Sequence, residues 1–210
     1  HRPADLDLLA ALARMVRSIF PSMPIAGFPS DFKSAYRQVP SDPAQAHDFV
    51  VVSWDVELQT QVFFLAVTQV FGSGNAPLNF CRFPDFCCRA IAALMAISAV
   101  HCVDDVIAIE VMELITSAFE CWRKFAELCG WDVPDKKSPP PSQCFRALGA
   151  ILDFSGYPKG PMLIKPASDR MESLMILLGQ VLAERKLSPA LAGKLYGKLM
   201  FMSSQYFGRL

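Results

Sequence analysis

What most limits the folds open to this chain is a pair of adjacent acids, Asp104 and Asp105. They are set between two short apolar runs, Ala99–Val103 and Val106–Ile109. Runs of that length, rich in β-branched residues, read as strands. The pattern predicts strand, tight turn, strand, with both acids at the turn. Neighbouring carboxylates repel, and a fold tolerates them where water or a cation takes up the charge. An exposed hairpin meets the first condition, since Asp is a favoured turn residue. A metal site meets the second. The pair alone does not choose between them.

Composition bounds the rest. With 210 residues, 52% hydrophobic and 19% charged, the chain can bury a core and is too apolar for a disordered tail. That length suits one domain, or one plus a small appendage. It opens on His1 and stops at Leu210 in a helical pattern, which reads as a segment of something longer. The formal charge is zero overall but unevenly spread. Residues 1–135 hold 9 Lys+Arg against 16 Asp+Glu, and residues 136–210 hold 11 against 4. An acidic front and a basic back suit a cation site joined to a polyanion-binding surface, or simply uneven solvated faces. Seven cysteines, an odd number with no Cys-x-x-Cys spacing, argue for reduced thiols in an intracellular protein and against zinc. The apolar run Ala90–Val100 is too short for a bilayer and no signal peptide is visible, so cytoplasm or nucleus is expected, with no membrane partner.

Along the chain, residues 4–20 predict a helix with Leu8, Leu9, Leu12, Met15, Val16 and Ile19 on its packing stripe. Asp31 follows a short apolar segment, where an acid at a strand end can serve a metal. Phe49–Trp54 and Gln61–Val67 read as a β-hairpin. A glycine-bearing loop from Phe71 leads to a helix capped by Asn75, running to about Ser98, with Pro84 kinking or splitting it. Residues 111–129 predict an amphipathic helix with Met112, Ile115, Phe119, Trp122, Ala126 and Cys129 as core. Phe145–Phe154 and Pro161–Lys165 read as two strands. Two helices follow, over 169–185 and from Ser188-Pro189 onward. The stripe of the first holds Met171, Leu174, Met175, Leu178, Val181 and Leu182. The expected class is α+β: a split βαβ, ferredoxin-like antiparallel sheet with helices on one face. Three parts are predicted: an N-terminal helix (1–24), a main body (25–165) and a helical pair (166–210).

Taken together, these stretches resemble the palm of reverse transcriptases, most closely the retrotransposon type, over about residues 25–155 with a weaker continuation. Asp31-Phe32-Lys33-Ser34-Ala35-Tyr36-Arg37-Gln38-Val39-Pro40 is similar to the family's first carboxylate motif. Phe71-Gly72-x-x-Asn75-Ala76-Pro77-x-x-Phe80-x-Arg82 resembles the second, and Val103-Asp104-Asp105-Val106 the x-Asp-Asp hairpin. Lys136-Lys137, followed by Leu148-Gly149-Ala150-Ile151-Leu152-Asp153, resembles the motif D lysine and the primer-grip hairpin. Four such motifs in family order make a strong signal where each alone is weak.

The resemblance implies an RNA-directed DNA polymerase of a retroelement, which adds deoxynucleotides to a primer 3′-hydroxyl with two Mg²⁺ ions, or Mn²⁺ in their place. Asp31, Asp104 and Asp105 would be the catalytic metal ligands, with Asp105 the more peripheral. Phe32, Ala35, Tyr36, Phe71, Gly72 and Lys137 would line the deoxynucleotide site. Tyr36 would exclude ribonucleotides by crowding the sugar, and Lys136 or Lys137 would protonate the leaving pyrophosphate. Arg82, Cys102, Leu148 and Gly149 would meet primer and nucleic acid, and Arg89, Lys194 and Lys198 would meet phosphates. The implied partners are an RNA or DNA template with its primer, deoxynucleoside triphosphates, and other domains of a larger polyprotein. The 166–210 pair would be thumb-like.

Three departures stand out. Cys102 occupies the place of the family's usual aromatic, Pro84 lies inside the second-motif helix, and residues 1–30 offer only Arg2, Arg14 and Arg17 in place of the family's fingers cations. Two further readings stay open: an impaired or truncated palm that only binds nucleic acid, and a palm that makes RNA, against which Tyr36 argues.

Overall fold

A computed structural model describes residues 5–203 of the chain. Its described residues form an α+β fold of five α-helices and eight short strands. The helices are α1 (Leu6–Ile19), α2 (Ala76–Met95), α3 (Ile115–Leu128), α4 (Ser168–Glu184) and α5 (Pro189–Met202). The strands are β1 (Ile25–Asp31), β2 (Val50–Asp55), β3 (Thr60–Leu65), β4 (Ala99–Cys102), β5 (Asp105–Val111), β6 (Cys144–Ala147), β7 (Ala150–Asp153) and β8 (Leu163–Pro166). They make three small sheets, ordered β1-β5-β4, β2-β3 and β6-β7-β8. The single sheet expected from the sequence is thus divided, and the pairs β2–β3, β4–β5, β6–β7 and β7–β8 are antiparallel.

The chain folds as two compact units. One comprises Pro29–Ala108 and Thr116–Pro140; the other comprises residues 5–28, 109–115 and 141–203.

The core of the first unit is built from Phe32, Phe80, Cys87, Ile91, Val106, Ile107, Trp122 and Ala126, all essentially buried. Helix α2 runs unbroken through the buried Pro84, so that proline neither splits nor ends it. It stops at Met95, three residues short of the expected end, because Ala96 turns left-handed at φ 55°. Asn75 holds the N-cap position, but its side chain makes no capping bond; its carbonyl instead accepts from Asn79. Helix α3 begins later than its periodicity suggested, since β5 extends to Val111. Met112 and Cys129 therefore fall outside the buried stripe that Ile115, Ala118, Trp122 and Ala126 provide. The β2–β3 hairpin forms in the expected place, with Val50, Val52, Trp54, Phe63 and Leu65 on one face, all exposed.

In the second unit, Asp5 caps α1 by accepting from the Leu8 amide at 3.0 Å. The buried face of α1 is Leu6, Leu9, Ala13 and Val16, rotated from the predicted stripe; Leu8, Met15 and Ile19 face outward. Phe145–Phe154 is a hairpin rather than one strand, because Leu148 and Gly149 both take positive φ (50° and 76°) and reverse the chain. Of the stripe predicted on α4, only Leu174 is buried. Ser188 caps α5 as expected, accepting from Leu191.

Candidate active site

The acids arrive on two neighbouring strands of one sheet. Cys102 pairs with Asp105, so the turn between β4 and β5 is Val103-Asp104, one residue earlier than the sequence suggested. Asp105 is the first residue of β5 rather than part of the turn. Val103 carries φ 56°, a position that a two-residue hairpin ordinarily gives to glycine. A β-branched residue there is an outlier, and such strain collects where the surrounding structure over-determines a functional turn.

Asp31 ends β1, the strand beside β5. The Phe32 amide just after it lies 3.4 Å from the Asp104 carbonyl, bringing motif and turn together. The Asp31 side chain is mostly enclosed, with Oδ2 accepting from the Lys137 ammonium at 2.5 Å. Its other oxygen, Oδ1, is buried without a hydrogen-bond partner.

The electrostatics reflect three crowded carboxylates. Burial, and then the charge of Asp31, raises the Asp104 carboxyl above its ordinary range, while a backbone hydrogen bond and Lys137 oppose the rise. Asp105 is pushed up to about 6, chiefly by burial and then by the charges of Asp104 and Asp31. The hydrogen bond to Asp31 raises the Lys137 ammonium. An all-oxygen donor set with a negative excess and an orphan buried oxygen suits a hard divalent cation. The acids are not pre-assembled as a cage: among the described residues, no three His, Cys, Asp or Glu are arranged to hold a metal. Lys137 takes one oxygen of Asp31 instead.

Around the acids, the expected substrate residues divide. Phe32 is turned into the core, edge-on to Phe80, Trp122 and Trp131 at 5.7, 6.0 and 5.4 Å, and is buried as a whole residue. Ala35 is buried, on a 3₁₀ turn with Tyr36. The Tyr36 ring is half-buried between Phe71 at 4.9 Å and Phe80 at 5.5 Å. Burial, followed by the charge of Asp104, raises its phenol. Phe71 is exposed and Gly72 follows at φ 97°, a conformation that favours glycine. Arg82 is exposed on α2, and Arg89 on the same helix pairs with Asp85 at 3.0 Å. Cys102 is half-buried at the end of β4. Leu148 and Gly149 form the β6–β7 turn of the second unit, where a Cβ on Gly149 would meet the Arg170 guanidinium at 2.7 Å. In that unit Lys198 donates to Ser173 at 2.6 Å, and Arg170 lies over the Phe201 ring.

Sequence reasoning missed the frame that holds Asp31 and Lys137. Ser30, buried just before Asp31, accepts from the Trp122 indole at 2.9 Å and lies 3.0 Å from the Ser138 hydroxyl. Those partners are 92 and 108 positions away, so nothing in the sequence couples them. A second clamp joins the same two segments. The Lys33 ammonium pairs with Asp132 at 2.8 Å, and the Gln38 amide both donates to the Asp132 carbonyl and accepts from its N–H.

No family model and no curated protein matches the sequence. Among solved structures, a foamy viral protease–reverse transcriptase in complex with double-stranded DNA is similar to this chain. The TM-score is 0.62 and the identity 16%, over 86% of this chain and 28% of that one. The chain has a reverse transcriptase-like fold. It spans little more than a quarter of that viral protein. No described helix is long and apolar enough to cross a membrane.

Proposed function

We propose that this chain is the catalytic palm of an RNA-directed DNA polymerase from a retroelement of retrotransposon type. The observation that carries the reading is the meeting of Asp31 at the end of β1 with the strained Val103-Asp104 turn, beside Asp105. The likeness to a viral reverse transcriptase supports it at the level of fold.

Asp31, Asp104 and Asp105 would hold two divalent ions, Mg²⁺ or Mn²⁺. When bound, these supply Lewis-acid stabilisation of phosphate charge and acidify the primer 3′-hydroxyl. The chain's own residues orient the reactants. The buried Oδ1 of Asp31, which has no hydrogen-bond partner, is an acceptor that a cation would satisfy. Tyr36, braced by Phe71 and Phe80, presents a rigid ring edge against the sugar and excludes a 2′-hydroxyl by contact. The exposed Phe71 offers a face for the templated base. Lys137, whose ammonium lies beside Asp31, would give a proton to the leaving pyrophosphate. Template and primer would be RNA or DNA, and further domains of a polyprotein would complete the enzyme.

The second reading, a palm that binds nucleic acid without synthesis, draws on the absence of a pre-assembled three-acid group among the described residues and on Cys102. Primer extension on an RNA template with deoxynucleotides and Mg²⁺ separates the two. Extension by the wild type that Asp104→Asn abolishes supports the polymerase. Template–primer binding with no extension above the Asp104→Asn background supports the binding palm.

A further inference from the structure

We propose that Lys137 is an internal counter-ion for Asp31, a resident cation that competes with a divalent ion for the acids. This rests on the metal-site reading above and adds to it a competition built into the chain.

Lys137, not its neighbour Lys136, carries the contact, with its ammonium 2.5 Å from Asp31 Oδ2. Lysine suits the role. It is a point charge on a flexible stem and makes a single contact, where arginine would lock both carboxylate oxygens. Asp31 Oδ1 stays unpartnered, so the carboxylate is only half engaged. The Lys137 side chain is 52% exposed, so the ammonium can leave Asp31 for water at little cost.

The backbone beneath it is fixed. Lys137 closes a 3₁₀ turn by donating to the Pro134 carbonyl at 3.0 Å, Arg123 pairs with Asp135, and Ser138 is tied to Ser30. Displacement is therefore a side-chain swing on an anchored turn. The same charge neutralises part of the three-acid excess while no metal is bound. An ammonium on one oxygen of Asp31 and a divalent cation on the other repel each other, so each weakens the binding of the other.

The test is Mn²⁺ binding to the chain, followed by the loss of the free-ion electron paramagnetic resonance signal. Lys137→Met and Lys137→Gln are expected to bind Mn²⁺ about three- to tenfold more tightly than wild type, and Lys137→Arg no more tightly. The melting temperatures of the two neutral variants should lie below that of the wild type in chelator and rise further than it does when Mn²⁺ is added. In Asp31→Asn the effect of removing Lys137 should vanish. Unchanged or weaker Mn²⁺ binding by both neutral variants overturns the counter-ion role. If Asp31→Asn and Asp104→Asn still weaken binding in that case, the metal site itself survives. If neither acid variant changes Mn²⁺ binding, the metal-site reading fails and the counter-ion role with it.

Discussion

The indole N–H of Trp122 on α3 donates to the hydroxyl of Ser30, the residue immediately before Asp31, at 2.9 Å in a buried setting. That bond, continued to Ser138, fixes the end of β1 to the segment that carries Lys137. Ser30→Ala would leave the Trp122 donor and the Ser138 hydroxyl buried without it. An unsatisfied buried donor costs roughly 1–3 kcal/mol. Urea unfolding of Ser30→Ala should show a loss of that size. A loss under about 0.5 kcal/mol would mean that the bond contributes no more than an ordinary surface contact.

Val103 is the other point where local and global preferences collide. Holding a β-branched residue at positive φ costs on the order of 1–3 kcal/mol, and glycine returns about 0.5–1 kcal/mol of that as unfolded-chain entropy. Val103→Gly should therefore raise stability by about 1 kcal/mol in a thermal melt. Val103→Ile, which keeps the strain, should leave the melting temperature nearly unchanged.

Tyr36 gives a test on specificity. Its ring rests on Phe71 and Phe80, so Tyr36→Ala opens the space beside Ala35 without touching the acids. In primer extension the variant should incorporate ribonucleotides at least tenfold more readily relative to deoxynucleotides. An unchanged ratio would remove Tyr36 from the role of sugar gate.

Much of this arrangement is legible in the sequence, for physical reasons that also mark where reading stops. Val100 and Val106–Ile109 are β-branched or apolar on both sides of two acids, so the hairpin announced itself. Its turn lay one residue off because Val103 is the last residue sequence rules would place at positive φ. Leu148 and Gly149 reverse the chain inside an otherwise apolar run, and a lone glycine there gave too little signal to split Phe145–Phe154 into two strands. On α1, apolar residues cover a broad arc. Periodicity finds the helix but not which edge of the arc is buried, and exposed Leu8 and Met15 violate no rule. The Ser30–Trp122–Ser138 frame is invisible for a different reason, since tertiary contacts between distant small residues leave no local pattern.

Thiol chemistry offers an independent check on burial. Burial pushes the Cys87 and Cys88 thiols up to about 12, well above the usual range, and both lie inside the first unit. Cys121, Cys129 and Cys144 are exposed. Alkylation of the native chain at neutral pH, followed by mass spectrometry, should label those three first. Cys87 and Cys88 should react only after denaturant is added. Fast labelling of Cys88 would show that α2 opens on the timescale of the reaction.

The Asp153–Lys165 pair across β7 and β8 makes a pH prediction with a definite sign. The ammonium of Lys165 at 2.7 Å, helped by the Ser155 hydroxyl and amide, holds the Asp153 carboxyl down at about 2. An unfolded aspartate titrates near 3.9, roughly two units higher. Because the folded value is the lower one, the unfolded state binds the proton first as pH falls. The contribution to stability is therefore fully present above about pH 4 and is lost as pH drops toward about 2. Asp153→Asn should be less stable than wild type at pH 7, with the gap closing across that acid window in urea titrations. Lys165→Met should shift the window upward, toward the ordinary carboxylate value. If the gap between wild type and Asp153→Asn instead stays constant through the acid window, the lost hydrogen bonds to Ser155, and not the carboxylate charge, account for the pair's effect.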